Sequence, residues 1–188
     1  MSLTALDPIT ALVVIDLQAG ILASPKAHPV EPVVARSAAL AEAFRRHDLP
    51  VVLVNVSGGA PGRTEVQRPG GSVRPEGWDR LVPELGAQPG DHRVTKHSWG
   101  AFQDTGLDEL LRGLGVTQVV VAGVATSVGV ESTARQAYEH GYNVTLAVDA
   151  MTDMDLANHE HSIARVFPRL GETGTTQEIL DLLAASRA

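Results

Sequence analysis

Short apolar runs alternate along this chain with longer segments in which apolar residues recur at helical spacing. The apolar runs are rich in β-branched residues, as is typical of buried strands, and they cover residues 10–17, 50–56, 118–122 and 143–148; two further short strands are expected at 92–96 and 171–174. The segments with helical spacing cover residues 30–48, 105–114, 130–140, 153–170 and 175–186. This alternation predicts βαβ units and an α/β fold, a doubly wound, Rossmann-like parallel sheet of six strands with helices on both faces.

Local signals mark some of the boundaries. Thr175 and Glu178 form a capping-box pattern at the start of the last helix, and Pro168 is expected to bend or end the helix before it. Asp149 is expected to close the fifth strand and to act as a helix cap or structural partner. The connection 57–77, rich in Gly and Pro, is long for a compact domain and is therefore expected to be functional or mobile.

Length and charge narrow the class of protein. With 188 residues, 44% of them hydrophobic, and no linker or repeat, the chain is expected to form a single domain over residues 1–188. The formal net charge is −7, without any block of basic residues, so neither a nucleic acid nor an anionic membrane is expected as a partner. A local pocket can still be basic, so an anionic small-molecule substrate remains compatible with this charge.

The absence of cysteine excludes disulfides, thiolate zinc sites and a cysteine nucleophile in this chain. The N-terminal segment lacks a basic region before its short apolar run and carries Asp7 and Asp16, which argues against a signal peptide. No apolar stretch approaches the roughly 20 residues that span a bilayer. We therefore expect a cytoplasmic protein.

The stretch 119–135 reads as strand, small-residue turn and helix. At the carboxyl end of a parallel strand, such a turn either binds an oxyanion or carboxylate, or is simply a tightly packed βα connection. Asp16 and Lys96 also fall at the ends of predicted strands, so both can meet Gly129 in one crevice. The turn is not a GxGxxG fingerprint, so no nicotinamide or other cofactor is expected.

Three segments carry a family resemblance: ALVVIDLQ at 11–18, TKHSWGAFQDTGLDELL at 95–111 and VVVAGVATSVGVESTARQAYEHGYNVTLAVDA at 119–150. They resemble the isochorismatase-like (cysteine hydrolase) superfamily, which includes isochorismatases, nicotinamidases and N-carbamoylsarcosine amidases. The resemblance implies a hydrolase with a six-stranded parallel sheet that assembles into homo-oligomers, dimers or tetramers.

In the amidases of this superfamily an Asp, a Lys and a Cys form the catalytic triad. The matching positions here are Asp16, Lys96 and Gly129, so the resemblance implies a site without its nucleophile. It also implies a cis peptide bond at Val124–Ala125, which aims the backbone N–H groups of Ala125 and Gly129 at an oxyanion.

Glycine supplies neither a thiolate nor an activated hydroxyl, and amide hydrolysis through an acyl-enzyme needs one of them. Ser127 and Ser132 are two and three residues away from position 129, so their side chains are expected to point elsewhere. The D-x-H-x-H metal motif of the nicotinamidases has no counterpart, because residues 55–74 contain neither Asp nor His. No catalytic metal is therefore predicted.

Isochorismatases in the superfamily also lack the cysteine, and they hydrolyse an enol ether through protonation by a carboxylic acid and capture of water. We therefore predict Asp16 as the general acid and Lys96 as the group that orients substrate and stabilises charge. Burial at the end of a central strand raises the pKa of an Asp, whereas the adjacent Lys opposes this shift.

Substrate contacts are predicted on the long connection and on the strand ends. The candidates are Ala125, Gln18, Trp99, Arg63, Arg68 and Arg74. Gln18 is expected to orient Asp16 or the turn, and Thr126 is expected to bond to the backbone of that turn. His159 and His161 are expected to be exposed, because i and i+2 positions diverge on a helix.

Three functions remain open from the sequence. The protein could hydrolyse isochorismate, it could hydrolyse another small substrate by the same acid–water chemistry, or it could be a catalytically vestigial member that binds a small molecule or serves as an oligomeric protein. Replacing the loop arginines would distinguish hydrolysis of isochorismate from the other two functions, because a substrate with two anionic groups needs two cationic sites.

Overall fold

Six parallel strands form one sheet in the computed structural model, which describes residues 3–65 and 74–186. The strands are β1 (Thr10–Ile15), β2 (Val51–Val56), β3 (His92–Lys96), β4 (Gln118–Val124), β5 (Asn143–Thr152) and β6 (Glu172–Gly174). Their order across the sheet is β3-β2-β1-β4-β5-β6, and every neighbouring pair is parallel. The sheet predicted from the sequence is confirmed, and β1 and β4, which precede the two predicted halves of the site, are neighbours.

The helices are α1 (Ala19–Leu22), α2 (Val30–Arg46), α3 (Leu107–Gly113), α4 (Glu131–Glu139), α5 (Leu156–His161) and α6 (Thr176–Ser186). Single 3₁₀ turns occur at Pro83–Leu85 and Phe167–Arg169, and π-helical turns at Thr126–Val130 and Ser162–Val166. Among the described residues, no helix has both the length and the apolar character needed to cross a membrane.

Both faces of the sheet are covered, as predicted. Leu12 and Val14 of β1 belong to the core that packs against α2 and α6, whereas Val13 and Ile15 belong to the core beneath α3 and α4. Successive side chains of a strand point to opposite faces, so a strand covered on both sides consists almost entirely of apolar residues. This explains why all six residues of β1 are buried.

Two predicted boundaries differ from the structure. β5 does not end at Asp149 but continues to Thr152, because an irregularity in its pairing with β4 lets Met151 pair opposite Gly123. Asp149 instead accepts hydrogen bonds from the backbone N–H and the hydroxyl of Thr176 at 2.7 and 2.8 Å, which confirms its structural role at the start of α6. The helical path 153–170 is broken into α5, a π-helical turn and a 3₁₀ turn that contains Pro168.

Candidate active site

Asp16 follows the last residue of β1 and has a left-handed backbone conformation, with φ +51°. Asp tolerates this region better than most residues with a side chain. The backbone N–H of Asp16 donates to the carbonyl of Val54 at 2.9 Å, and its own carbonyl accepts from Gln18 at 2.8 Å. This turn ends the strand and leaves the carboxyl group of Asp16 on the wall of a cavity.

Lys96, the last residue of β3, reaches across β2 to that carboxyl group. Its Nζ lies 2.8 Å from Oδ2 of Asp16, and it donates to the carbonyl of Ser98 at 3.1 Å. The two side chains are only 2% and 7% exposed for Lys96 and Asp16, respectively. Oδ1 of Asp16 is buried and has no hydrogen-bond partner within the described part of the chain.

Burial raises the pKa of Asp16 from 3.8 to about 6, although the neighbouring Lys96 ammonium lowers it. The removal of solvent disfavours the charged carboxylate more strongly than the single lysine favours it. The rise in the pKa of Asp16 agrees with the prediction from the sequence. Asp16 can therefore carry a proton in the physiological pH range, with Oδ1 as the oxygen that no described neighbour engages.

The turn after β4 supplies the opposite wall. Gly123 has φ +115°, and a Cβ at this position would overlap the backbone of Ile15, so only glycine fits between β4 and β1. The peptide bond Val124–Ala125 is cis, as the resemblance implied. A π-helical turn then leads into α4, and Ala125 and Gly129 both line the cavity.

Gly129 lies directly beside the acid. An ideal Cβ at position 129 would be 3.3 Å from Oδ2 of Asp16 and 2.9 Å from Cγ2 of Ile15. The structure therefore brings Asp16, Lys96 and Gly129 together, as predicted, and position 129 offers no side chain to the site. Neither Ser127 nor Ser132 lines the cavity.

The cavity has a volume of about 450 Å³ and contains both apolar and cationic groups. Trp78 and Trp99 contribute aromatic walls, and Trp99 is 54% exposed at the edge of the cavity. Besides Lys96, the cationic residues on its lining are Lys26 and Arg74, while Asp16 is the single acidic lining residue within the described ranges. The cavity is thus locally basic in a chain whose net charge is −7.

Arg74 and Trp99, which were predicted from the sequence, do line the cavity. The Arg74 guanidinium stacks over the ring of Trp78 at 4.0 Å and donates to the carbonyl of Gly58 at 2.7 Å. Arg63 is exposed and is not part of the described lining, so the structure does not bring it to the cavity. Arg68 lies outside the described residues.

Gln18, another predicted substrate contact, is also placed away from the cavity. Its side-chain amide donates to the carbonyls of Val56 and Trp78 and accepts from the N–H of Val56 at 2.7 Å. The residue is completely buried and does not line the cavity. The side chain of Gln18 therefore joins the end of β2 to the segment that carries Trp78.

Lys26 and Trp78 were missed at the sequence level. Nζ of Lys26 donates to the carbonyls of Ile21 and Ser24 at 2.6 and 2.5 Å, and burial lowers its pKa while Asp153 opposes that shift. One sequence signal could have found it, because the chain contains only two lysines, Lys26 and Lys96. Both line the same cavity.

Comparison with known proteins assigns this architecture to a family. The isochorismatase domain model matches residues 10–178, which is most of the chain and includes Asp16, Lys96 and the turn after β4. The chain belongs to the isochorismatase family.

Relatives of this isochorismatase-family chain include the isochorismatase family protein YwoC of Bacillus subtilis. YwoC is 41% identical over 178 residues, which cover 92% of this chain and 93% of YwoC. The solved structure of an isochorismatase family protein from Burkholderia thailandensis superposes with a TM-score of 0.92 at 40% identity, covering 97% of this chain and all of that one. The ureidoacrylate amidohydrolase RutB of Stutzerimonas stutzeri is 32% identical over 170 residues, covering 75% of this chain and 68% of RutB.

The family places this chain among hydrolases. Within residues 3–65 and 74–186, no three His, Asp or Glu side chains come together as they would to hold a metal ion. The candidate active site consists of the Asp16–Lys96 pair, the turn at Ala125–Gly129, and the basic and aromatic walls.

Two residues near the turn differ from expectation. Thr126 is buried, and its hydroxyl lies 2.8 Å from Nδ1 of His159 instead of bonding to the turn's own backbone. His159 is only 7% exposed, so the prediction of exposure was wrong for His159, whereas His161 is exposed as predicted. The helix bearing His159 packs against the turn, which the spacing of residues along the chain could not reveal.

Proposed function

We propose that this protein hydrolyses a small anionic substrate by acid catalysis and direct attack of water, with Asp16 as the general acid. The observation that carries the proposal is the carboxyl group of Asp16: its Oδ1 is unpartnered among the described residues, and its pKa is raised to about 6. A pKa near the operating pH is what proton donation requires. Gly129 beside it removes the covalent route.

An enol ether of a 2-oxo acid suits this chemistry. Protonated Asp16 gives its proton to the methylene carbon, and the C=C electron pair forms the new C–H bond, leaving an oxocarbenium ion. Water adds to the cationic carbon and returns a proton to the Asp16 carboxylate. The resulting hemiketal transfers its hydroxyl proton to the ether oxygen as the C–O bond breaks, which releases an alcohol and a 2-oxo acid.

Lys96 has two roles in this scheme. It fixes Oδ2 of Asp16 through the 2.8 Å ion pair, so Oδ1 is the oxygen left for the proton. It also stabilises the carboxylate that forms once Asp16 has given up its proton, in a site from which solvent is largely excluded. Because the same charge lowers the pKa of Asp16, the pair keeps the acid strong enough to protonate carbon.

The cationic lining favours an anionic substrate. Arg74 and Lys26 lie on the cavity wall and make no ion pair with a carboxylate within hydrogen-bonding distance among the described residues. Two such groups suit a substrate with one or two carboxylates, and the indoles of Trp78 and Trp99 on the cavity wall suit a substrate with an apolar ring. Isochorismate, a ring bearing one carboxylate and an enolpyruvyl ether, combines these features.

A second candidate reaction follows from the relatives. RutB is named a ureidoacrylate amidohydrolase, and it is 32% identical to this chain. Hydrolysis of an amide or ureido bond here would have to proceed by water attack rather than through an acyl-enzyme, since Gly129 offers no nucleophile.

The test is product release by the purified protein from isochorismate, measured as pyruvate, and from ureidoacrylate, measured as ammonia. The proposal expects pyruvate from the wild type and at least about a thousandfold less from Asp16→Asn, because that variant cannot donate the proton. Asp149→Asn is the matched control, since Asp149 lies within β5 and contacts Thr176 away from the cavity lining.

Ammonia without pyruvate would move the assignment to amide hydrolysis. Turnover by Asp16→Asn close to that of the wild type would overturn the assignment of the acid. If neither substrate is turned over, the proposed substrates are wrong and the vestigial, ligand-binding alternative takes their place.

A further inference from the structure

A pair of imidazoles lies behind the turn that carries Gly129. Nδ1 of His159, on α5, is 2.8 Å from the hydroxyl of Thr126, the first residue of that turn. The ring of His28 meets the ring of His159 edge-on, with 4.7 Å between the ring centroids. His28 is held in turn by the hydroxyl of Thr152, 3.1 Å from its Nδ1. Neither imidazole has a part in the proposed chemistry.

A carboxylate from the end of β5 holds the next residue of the turn. Oδ2 of Asp153 accepts a hydrogen bond from the backbone N–H of Ser127 at 2.6 Å, and Oδ1 accepts from Met154 at 2.8 Å. Asp153 is almost completely buried. The turn is therefore fixed from behind at two successive residues, by His159 at Thr126 and by Asp153 at Ser127.

We infer that His159 is a positioning residue: its neutral imidazole holds Thr126 and thereby keeps Ala125 and Gly129 in place opposite Asp16, and its protonation loosens the turn. The expected effect on catalysis rests on the proposed function, whereas the expected effect on the turn does not. Thr126 and His159 are both buried, so their hydrogen bond has no competition from water. Displacing the turn changes the space beside Asp16, because an ideal Cβ at position 129 would lie only 3.3 Å from Oδ2 of that residue.

The pKa of His159 depends on its burial and on the charges around it. Burial lowers its pKa, and His28 lowers it further, while Asp153 and Glu160 oppose the shift. Lys26 precedes His28 on the same segment and interacts with Asp153, and the turn 126–130 itself contains no titratable residue. Neutral His159 therefore stabilises the fold above its ordinary pKa of 6.5, and this contribution is lost as the pH falls through the lowered value.

His159→Gln separates position from charge, since a glutamine can still hydrogen-bond to Thr126 but cannot ionise. His159→Leu removes the hydrogen bond, and His161→Gln, on the exposed face of the same helix, is the matched control. In the wild type we expect kcat to fall on the acid side while KM changes little. His159→Gln should lose this acid-side fall, and His159→Leu should lose kcat about tenfold or more at every pH.

Amide hydrogen exchange of residues 125–130, corrected for intrinsic rates, provides a readout that needs no substrate. Protection should fall toward acid pH in the wild type and in His161→Gln, but not in His159→Gln. Equal pH dependence of protection in wild type and His159→Gln would overturn the inference, whether or not a substrate is turned over. Failure of the proposed function alone would leave the exchange difference intact and abolish only the kinetic one.

Discussion

Oδ2 of Asp16 and Nζ of Lys96 lie 2.8 Å apart in a pair that is almost entirely shielded from solvent. A buried pair of this kind does not have to be fully ionised, because the loss of hydration offsets the attraction between the charges. Here burial outweighs the lysine, and the pKa of the acid rises to about 6. Asp16 therefore changes its protonation state near pH 6, and this has measurable consequences.

The first consequence concerns pH. If Asp16 donates a proton, kcat/KM is constant below about pH 6 apart from any loss due to His159, and it falls about tenfold for each pH unit above it. Stability follows the same group: the contribution of protonated Asp16 is fully present below its ordinary pKa of 3.8 and is lost as the pH rises through about 6. A rate that instead rises through pH 6 would assign Asp16 as a base.

Replacing Lys96 tests the origin of that pKa. In Lys96→Met the opposing positive charge is gone, so the pKa of Asp16 rises further and the alkaline fall in kcat/KM moves to higher pH. We also expect kcat to drop about a hundredfold, because the carboxylate left after proton transfer loses its partner. Lys96→Arg, which retains the charge, should keep most of the original pH profile. An unchanged alkaline limb in Lys96→Met would contradict this account.

Arg74 should govern recognition of an anionic group. In Arg74→Met we expect KM to rise by about tenfold to a hundredfold with kcat little changed, since a charged hydrogen bond contributes about 1.5–3 kcal/mol. Arg63→Met is the control, because Arg63 is exposed and lies off the described cavity wall. Steady-state kinetics with a carboxylate substrate and its methyl ester completes the test: equal losses on both would show that Arg74 does not bind the carboxylate.

A methyl group at position 129 should be costly. The new Cβ of Gly129→Ala would lie 2.9 Å from Cγ2 of Ile15 and 3.3 Å from Oδ2 of Asp16. We expect a loss of about 1–3 kcal/mol in the free energy of unfolding from overpacking, measured by urea titration, and a lower kcat. Gly62→Ala, whose Cβ would meet nothing within 4 Å, should leave both unchanged. Wild-type stability in Gly129→Ala would mean that Ile15 moves aside freely.

The sequence predicted the parts of this molecule that depend on short-range pattern. β1 and β4 are buried on both faces, so their runs of apolar residues stand out, and the acid and the turn follow directly from where those runs end. The place of Lys96 in the site, at the end of β3, can be predicted in the same way, because parallel strands bring their carboxyl ends to one edge of the sheet.

Residues whose role depends on distant packing could not be predicted in this way. Gln18 has the right spacing to face Asp16, yet its side-chain amide forms hydrogen bonds with Val56 and Trp78, two partners far along the chain. Lys26 carries no motif, and it lines the cavity because the segment after α1 forms part of the cavity wall. His159 is buried by contact with the turn at Thr126, which no local period encodes.

The cavity draws its walls from separate stretches of the chain. The acid and the turn follow β1 and β4, whereas Arg74 and Trp78 lie in the connection between β2 and β3. The part of recognition that depends on Arg74 and Trp78 is therefore under mutational control separate from that of the acid and the turn. In a diverging lineage, selection for a new substrate can act on that connection, while the core that supports the acid remains unchanged from one descendant to the next.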